Sequence, residues 1–111
     1  MKILIADDEE IVRKSLRRAF AQRGHEVIEA TNGAQALTAW RNHNPDIAIL
    51  DIIMPELNGY QVVEARGESS TKVVLMSAYW NQDKKIKCDL FLEKPFEDIF
   101  KTVDIVEGLV P

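Results

Sequence analysis

The sequence predicts a single α/β domain built on a doubly wound parallel sheet. Three short apolar runs, starting at Ile3, Ile47 and Val73, are typical of strands that are buried on both faces of such a sheet. Segments with helical periodicity separate these runs, so strands and helices alternate along the chain. A length of 111 residues fits one ordinary domain and excludes a two-domain enzyme.

The first predicted strand, Ile3–Ala6, leads into an amphipathic helix. The apolar face of this helix carries Val12, Leu16, Ala19 and Phe20. The opposite face is polar, with Arg13 at its border, and carries Lys14, Arg17, Arg18 and Gln22. Gly24 ends the helix, and Glu26–Glu29 is a weaker strand candidate.

The second helix is predicted over residues 33–43, between a candidate N-cap at Asn32 and a stop at Pro45. Its inward residues are Ala36, Leu37 and Trp40. The strand Ile47–Leu50 follows, and then come a short third helix over residues 59–66 and a polar linker to Thr71.

The C-terminal part contains two further strands and one helix. The strands are predicted at Val73–Met76 and, more weakly, at Leu90–Leu92. The eleven residues Tyr79 to Asp89 between them are too few for two loops and a helix of average length, which predicts a loop or about one helical turn. The last helix is predicted from about Phe96 to Glu107, with a buried stripe of Ile99, Val103 and Val106.

Polar residues end four of the predicted strands. Asp7 and Asp8 end the first, Asp51 the third, Ser77 the fourth and Lys94 the fifth. In an open parallel sheet these ends lie on one edge, where ligands bind in doubly wound folds. Each residue alone has an ordinary interpretation: a turn or helix cap for the Asp pair, a turn for Asp51, a small residue at Ser77, and a loop at Lys94. Their coincidence at four strand ends favours a site.

Three carboxylates at one edge repel one another and ionise together favourably only around a cation. Oxygen ligands alone indicate Mg²⁺ rather than Zn²⁺. Because Mg²⁺ takes one or two carboxylates and keeps open positions, an Asp oxygen is left to act as a nucleophile toward a phosphoryl group. Ser77 and Lys94 would then contact the phosphoryl oxygens.

Composition narrows the functional classes further. The formal net charge of −4 argues against a nucleic-acid-binding surface. Cys88 is the single cysteine, and it predicts a reducing, cytoplasmic setting without disulfides. The sequence contains no apolar run of 18 residues, so we expect a soluble protein that is neither exported nor inserted in a membrane.

With these residues in view, the sequence resembles the receiver domain of two-component response regulators. The matching segments are Ile3–Glu9, Asp46–Asp51 with Met54, Pro55 and Gly59, Val74–Ala78 and Leu92–Phe96. The resemblance covers essentially the whole chain and implies a flavodoxin-like fold with the strand order 2-1-3-4-5. The short Tyr79 to Asp89 segment implies that the family's fourth helix is shortened or missing here.

The resemblance implies that Asp51 is phosphorylated by a sensor histidine kinase or a phosphotransfer protein. Asp8 and Asp51 would bind Mg²⁺ with the backbone carbonyl of Ile53, and Asp7 would act partly through water. Lys94 would contact the phosphoryl group. The domain would then be no enzyme in the usual sense, because it catalyses only its own phosphorylation and autodephosphorylation.

The resemblance also implies a conformational switch. The Ser77 hydroxyl would contact the phosphoryl oxygens and move toward them, and the side chain of Phe91 would turn inward; the alternative for Phe91 is plain core packing. The Lys94-Pro95 bond is expected to be cis. The kinase would dock on the first helix, and the domain would be a monomer or a phosphorylation-dependent dimer, with a dimer through the family's fourth helix in doubt.

Two positions affect the lifetime of the phosphorylated state. Ile53 and Tyr79 stand two residues after Asp51 and Ser77, and both are bulky enough to flank the path of a hydrolytic water. We therefore expect slow dephosphorylation. Lys87 stands where the family often has Gly before the fifth strand, so the turn there must be made differently.

Two other functions remain open at this stage. One is a receiver-like module that binds partners constitutively, although such a module has no need to keep three repelling carboxylates. The other is a small Mg²⁺-dependent phosphohydrolase, which usually needs a cap or lid that short connections leave little room to build. The end at Pro111 fits both a stand-alone regulator and a domain of a longer protein.

Overall fold

Five parallel strands form one sheet in the order β2-β1-β3-β4-β5, as predicted. The computed structural model describes residues 1–78 and 88–111. The strands are β1 (Lys2–Ala6), β2 (Glu26–Ala30), β3 (Ile47–Asp51), β4 (Lys72–Ser77) and β5 (Leu90–Glu93). The helices among the described residues are α1 (Glu10–Gln22), α2 (Gly33–His43), α3 (Gly59–Arg66) and α4 (Ile99–Glu107).

Residues 79–87, which carry most of the segment predicted as a loop or a single helical turn, lie outside the described residues. The expectations for Tyr79 and Lys87 lie there too and stay predictions. None of the described helices is long and apolar enough to cross a membrane.

Two of the described helices cover each face of the sheet. The core on one face joins α1 and α4 to alternate strand residues such as Ile5 and Ile49, and the core on the other joins α2 and α3 to Leu4 and Leu50. All five residues of β3 are buried. This double coverage explains why β1, β3 and β4 contain continuous apolar runs rather than alternating ones.

The boundaries of α2 are those predicted from sequence. The Asn32 side chain accepts a hydrogen bond from the Gln35 backbone N–H at 2.8 Å, which caps the helix as expected. After His43, Asn44 adopts a left-handed conformation with φ of 45°, just ahead of Pro45.

The last helix starts later than predicted, at Ile99 rather than at Phe96. Asp98 determines this start, because its side chain accepts hydrogen bonds from the backbone N–H groups of Phe100 and Lys101. As a result Ile99 is only partly buried, and Thr102 joins the buried face with Val103 and Val106. Two apolar residues outside the predicted stripe differ in burial. Ile105 is 47% exposed, whereas Leu109 packs against the core.

The start of α2 packs closely on the loop that follows β3. A Cβ atom on Gly33 would lie 1.9 Å from the backbone oxygen of Leu57. The Gly33 N–H also donates to the Pro55 carbonyl at 3.3 Å. A side chain at residue 33 would therefore displace the loop.

We predict that Gly33→Ala lowers the free energy of unfolding by about 3 kcal/mol, because backbone atoms must shift to admit the methyl group. Urea denaturation followed by circular dichroism measures the difference. Gly108→Ala is the control, since its Cβ would meet its nearest atom at 3.3 Å and its φ of −66° suits alanine. Equal stability of the two variants would contradict the close approach.

Candidate functional site

The carboxyl edge of the sheet brings together the polar strand-end residues identified from sequence. One carboxylate oxygen from each of Asp7, Asp8 and Asp51 lies within 4.8 Å of the others. Ser77 is the buried last residue of β4, and Lys94 directly follows β5. The strand order explains this convergence, because β1, β3, β4 and β5 are successive neighbours in the sheet.

The Lys94 ammonium group lies among carboxylates. Its Nζ donates to Asp7 Oδ2 at 2.6 Å and to Asp51 Oδ2 at 3.1 Å, and it lies 3.4 Å from Glu9 Oε1. Burial lowers the pKa of Lys94, but its hydrogen bonds to Asp7 and Asp51 and the negative charges of these two residues together raise it more, so the pKa is above its ordinary value. Lys94 is therefore a cation at neutral pH and compensates part of the negative charge.

Asp51 is 4% exposed and occupies the centre of the site. Burial and the negative charge of Asp7 raise its pKa to about 6, and the contact with Lys94 offsets only part of this rise. Its Oδ1 accepts a hydrogen bond from the Ile53 N–H at 3.2 Å, so Asp51 also closes the local turn that the sequence suggested. The charged form of such a carboxylate is less stable than usual, and added positive charge beside it stabilises that form.

Asp7 is held by several partners. Its backbone N–H donates to the Ala30 carbonyl at 3.2 Å, and its Oδ1 accepts from the Glu9 N–H at 2.8 Å. The helix-cap interpretation of Asp7 and Asp8 is wrong, because Glu9 is the residue before α1 and its side chain makes no capping bond. Asp7 instead forms a turn that precedes the helix, and Asp8 remains exposed.

These donors suit a hard divalent cation. The three carboxylates provide oxygen ligands only, Asp8 faces solvent, and their charge exceeds what Lys94 compensates. Mg²⁺ prefers this combination of a few carboxylates and open positions for water. Ile53, the predicted carbonyl ligand, lies two residues beyond Asp51 in the adjoining loop, and its side chain is 57% exposed.

Ser77 and Phe91 occupy the same face of the sheet. Phe91 pairs in register with Leu75, and both belong to the core covered by α2 and α3. Because side chains alternate along a strand, Ser77 points to the same side as Leu75. Phe91 therefore packs in the core. Ser77 lies two residues beyond Leu75 on the neighbouring strand β4. The Lys94-Pro95 bond is cis, as expected.

Two further residues belong to this site and were not predicted from the sequence. Glu9 is the third acidic neighbour of Lys94. Arg13, assigned to the border of the polar face, is in fact only 8% exposed, and its Nη1 donates to the backbone oxygen of Asp7 at 3.0 Å. Its spacing of three and seven residues from Leu16 and Phe20 was the available signal, because residues at these separations share a helix face.

Comparisons with known proteins agree with this geometry. The family model described as the response regulator receiver domain matches residues 3–104. A protein described as the probable transcriptional regulator ycf27 of Pyropia yezoensis is 37% identical over 101 residues, covering 86% of this chain and 42% of that protein. The regulatory protein AtoC of Escherichia coli K12 is 40% identical over 103 residues, covering 86% of this chain and 22% of AtoC. The chain thus spans less than half the length of these relatives.

A solved structure shows the same architecture. The response regulator protein TrrA of Thermotoga maritima, in complex with Mg²⁺–BeF, superposes with a TM-score of 0.86 and 29% identity, covering 98% of each chain. The family model matches most of this chain, and the strand order and the acidic edge of the sheet agree with that match. The chain therefore belongs to the family of response regulator receiver domains.

Proposed function

We propose that Asp51 is the phosphoacceptor of this receiver domain and that Mg²⁺-dependent phosphoryl transfer to it switches the conformation. One observation carries the assignment: Asp51 is buried at the centre of the acidic cluster, in contact with the Lys94 ammonium at 3.1 Å. The donor is the phosphohistidine of a sensor histidine kinase or of a phosphotransfer protein. As in receiver domains generally, the role is signalling rather than turnover of a substrate.

In the proposed reaction an Asp51 carboxylate oxygen attacks phosphorus. The P–N bond of the phosphohistidine breaks, and the imidazole nitrogen leaves with the bonding electron pair. Asp8, Asp51 and the Ile53 carbonyl would hold Mg²⁺, with Asp7 acting partly through water. When bound, the metal ion neutralises negative charge on the phosphoryl oxygens and on the acceptor.

Lys94 has a second task in this scheme. Its Nζ lies between Asp7 and Asp51, so a small movement transfers its hydrogen bonds from carboxylate to phosphoryl oxygen. The Ser77 hydroxyl contacts another phosphoryl oxygen as β4 shifts. Since Phe91 lies on the same face of the sheet, its inward rotation follows the movement of Ser77 and changes the surface offered to partners.

Constitutive binding without phosphorylation is less favoured. Burial raises the pKa of Asp51, so keeping this carboxylate ionised beside Asp7 costs folding free energy. A domain that is phosphorylated at this site needs the acidic cluster despite the cost, whereas a constitutive binding module does not.

A phosphohydrolase would be recognised by turnover of an added phosphate ester, whereas a receiver takes up a single phosphoryl group.

We predict that the wild-type protein, incubated with Mg²⁺ and acetyl phosphate, gains the mass of one phosphoryl group. Asp51→Asn and a sample in excess EDTA should gain none, because the first lacks the nucleophile and the second lacks the metal ion. Intact-protein mass spectrometry measures the adduct. An adduct that persists in Asp51→Asn, or turnover of p-nitrophenyl phosphate, would contradict the assignment.

The raised pKa of Asp51 predicts how metal-free stability depends on pH. Between the ordinary pKa of 3.8 and the folded value of about 6, the native protein binds more protons than the unfolded chain, so stability falls as pH rises through this window. Asp51→Asn should remove this contribution and be more stable than wild type by about 2 kcal/mol above pH 6.5.

Urea denaturation of both proteins at pH 4 to 8 tests this difference. The gap should open between pH 4 and pH 6 and narrow when Mg²⁺ is added to the wild type. A gap that stays constant over the whole range would show that Asp51 does not titrate as proposed.

We predict that replacing the two bulky residues that follow Asp51 and Ser77 by two positions, Ile53→Asn together with Tyr79→Ala, shortens the half-life of the phosphorylated protein about tenfold, equivalent to about 1.4 kcal/mol in the hydrolysis barrier. The reason is easier access of water to the phosphorylated Asp51. Loss of the adduct with time is followed by mass spectrometry. Ile105→Asn, at another exposed isoleucine, is the control, and an unchanged half-life in the double variant would refute slow, shielded hydrolysis.

A further inference from the structure

The backbone carbonyl of Asp7 has an unusual partner. It accepts a hydrogen bond from Arg13 Nη1 at 3.0 Å, and the contact is buried. Asp7 is the first residue after β1, where the regular pairing of that strand ends. A buried carbonyl at such a position needs a hydrogen-bond donor, and here the donor is a side chain from the inward face of α1.

The guanidinium group of Arg13 is itself fixed from a second direction. Its Nε donates to Glu29 Oε1 at 3.0 Å, and Glu29 belongs to β2. A guanidinium group is planar and presents its donors in a rigid arrangement, so two bonds, one to β2 and one to the residue that follows β1, determine its orientation. Arg13 thus joins α1 and β2 to the residue that carries one carboxylate of the proposed metal site.

This anchoring matters because the carboxylates of the site repel one another. Without a tether, the segment containing Asp7 and Asp8 lowers its energy by moving these side chains away from Asp51. The Asp7 side chain is held by the Glu9 N–H and by Lys94, but Lys94 is the group that the proposed reaction moves. The bond from Arg13 acts on the backbone and does not depend on Lys94.

We propose that Arg13 is a positioning residue for the Mg²⁺ site, which holds the backbone of Asp7 so that Asp7 and Asp8 are preorganised around the cation. The inference rests on the proposed function, since it assumes that Mg²⁺ binds at Asp7, Asp8 and Asp51. Arg13 acts through geometry rather than through its charge, because that charge is paired with Glu29.

Isothermal titration of the metal-free protein with MgCl₂ tests the proposal. Arg13→Met keeps most of the buried stem and removes the donors, and we expect its Kd for Mg²⁺ to rise about tenfold. Arg13→Lys keeps the charge but cannot bond both partners, so a smaller rise is expected. Arg17→Met is the matched control, because Arg17 also pairs with Glu29 but is more exposed and lies one turn further along α1. Its Kd should stay within about twofold of wild type.

Thermal unfolding of each variant separates positioning from general stability. A lower melting temperature in Arg13→Met with an unchanged Kd would reduce Arg13 to a structural role and overturn the proposal. Tighter Mg²⁺ binding in Arg13→Met would also overturn it, because loss of a positive charge would then dominate. If Arg13→Met does not fold, Arg13→Lys decides between the same outcomes. Absence of Mg²⁺ binding in the wild type would refute the proposed metal site itself, and the inference with it.

Discussion

Electrostatic repulsion among Asp7, Asp8 and Asp51 is the constraint on which the rest of the structure depends. The three carboxylates are within 4.8 Å of one another, and two of them are buried. Such an arrangement is unfavourable unless positive charge lies beside it. In the metal-free protein Lys94 provides part of that charge, but burial of Asp51 and the negative charge of Asp7 together keep the pKa of Asp51 raised. The site therefore favours any ligand that adds positive charge.

The fold keeps these groups together at the cost of some stability. Asp51 is the last residue of β3, Asp7 and Asp8 are the two residues after β1, and all residues of β3 are buried. Two apolar cores, one on each face, prevent the strands from separating to relieve the repulsion. Burial of apolar surface thus supports an arrangement of charges that would not assemble by itself.

The same geometry connects charge to shape. Lys94 follows β5, and its backbone N–H donates to the Ser77 carbonyl at 2.9 Å, so the ends of β4 and β5 are joined at the site. Phe91 lies three residues before Lys94 and packs on the core covered by α2 and α3. In the proposed switch, a change in charge at Asp51 would act first on Lys94 and Ser77, and β5 would carry the effect to Phe91. This short path is the physical basis of the proposed switch.

The sequence by itself determined the fold class, the strand positions and the five polar residues at the strand ends. This was possible because strands buried on both faces must be apolar throughout, so that a polar residue at their end stands out. The ends of α2 could also be predicted, because Asn32 and Pro45 act on local backbone geometry alone.

Only the tertiary structure decided the surroundings of the polar site residues. The approach of Glu9 to Lys94 and the raised pKa of Asp51 depend on groups distant in sequence and on burial. The contact of Arg13 with Asp7 joins residues only six positions apart, and the helix spacing of Arg13 indicates the inward face but not the partner. Local patterns do not name such partners, because hydrogen bonding and desolvation act across space rather than along the chain.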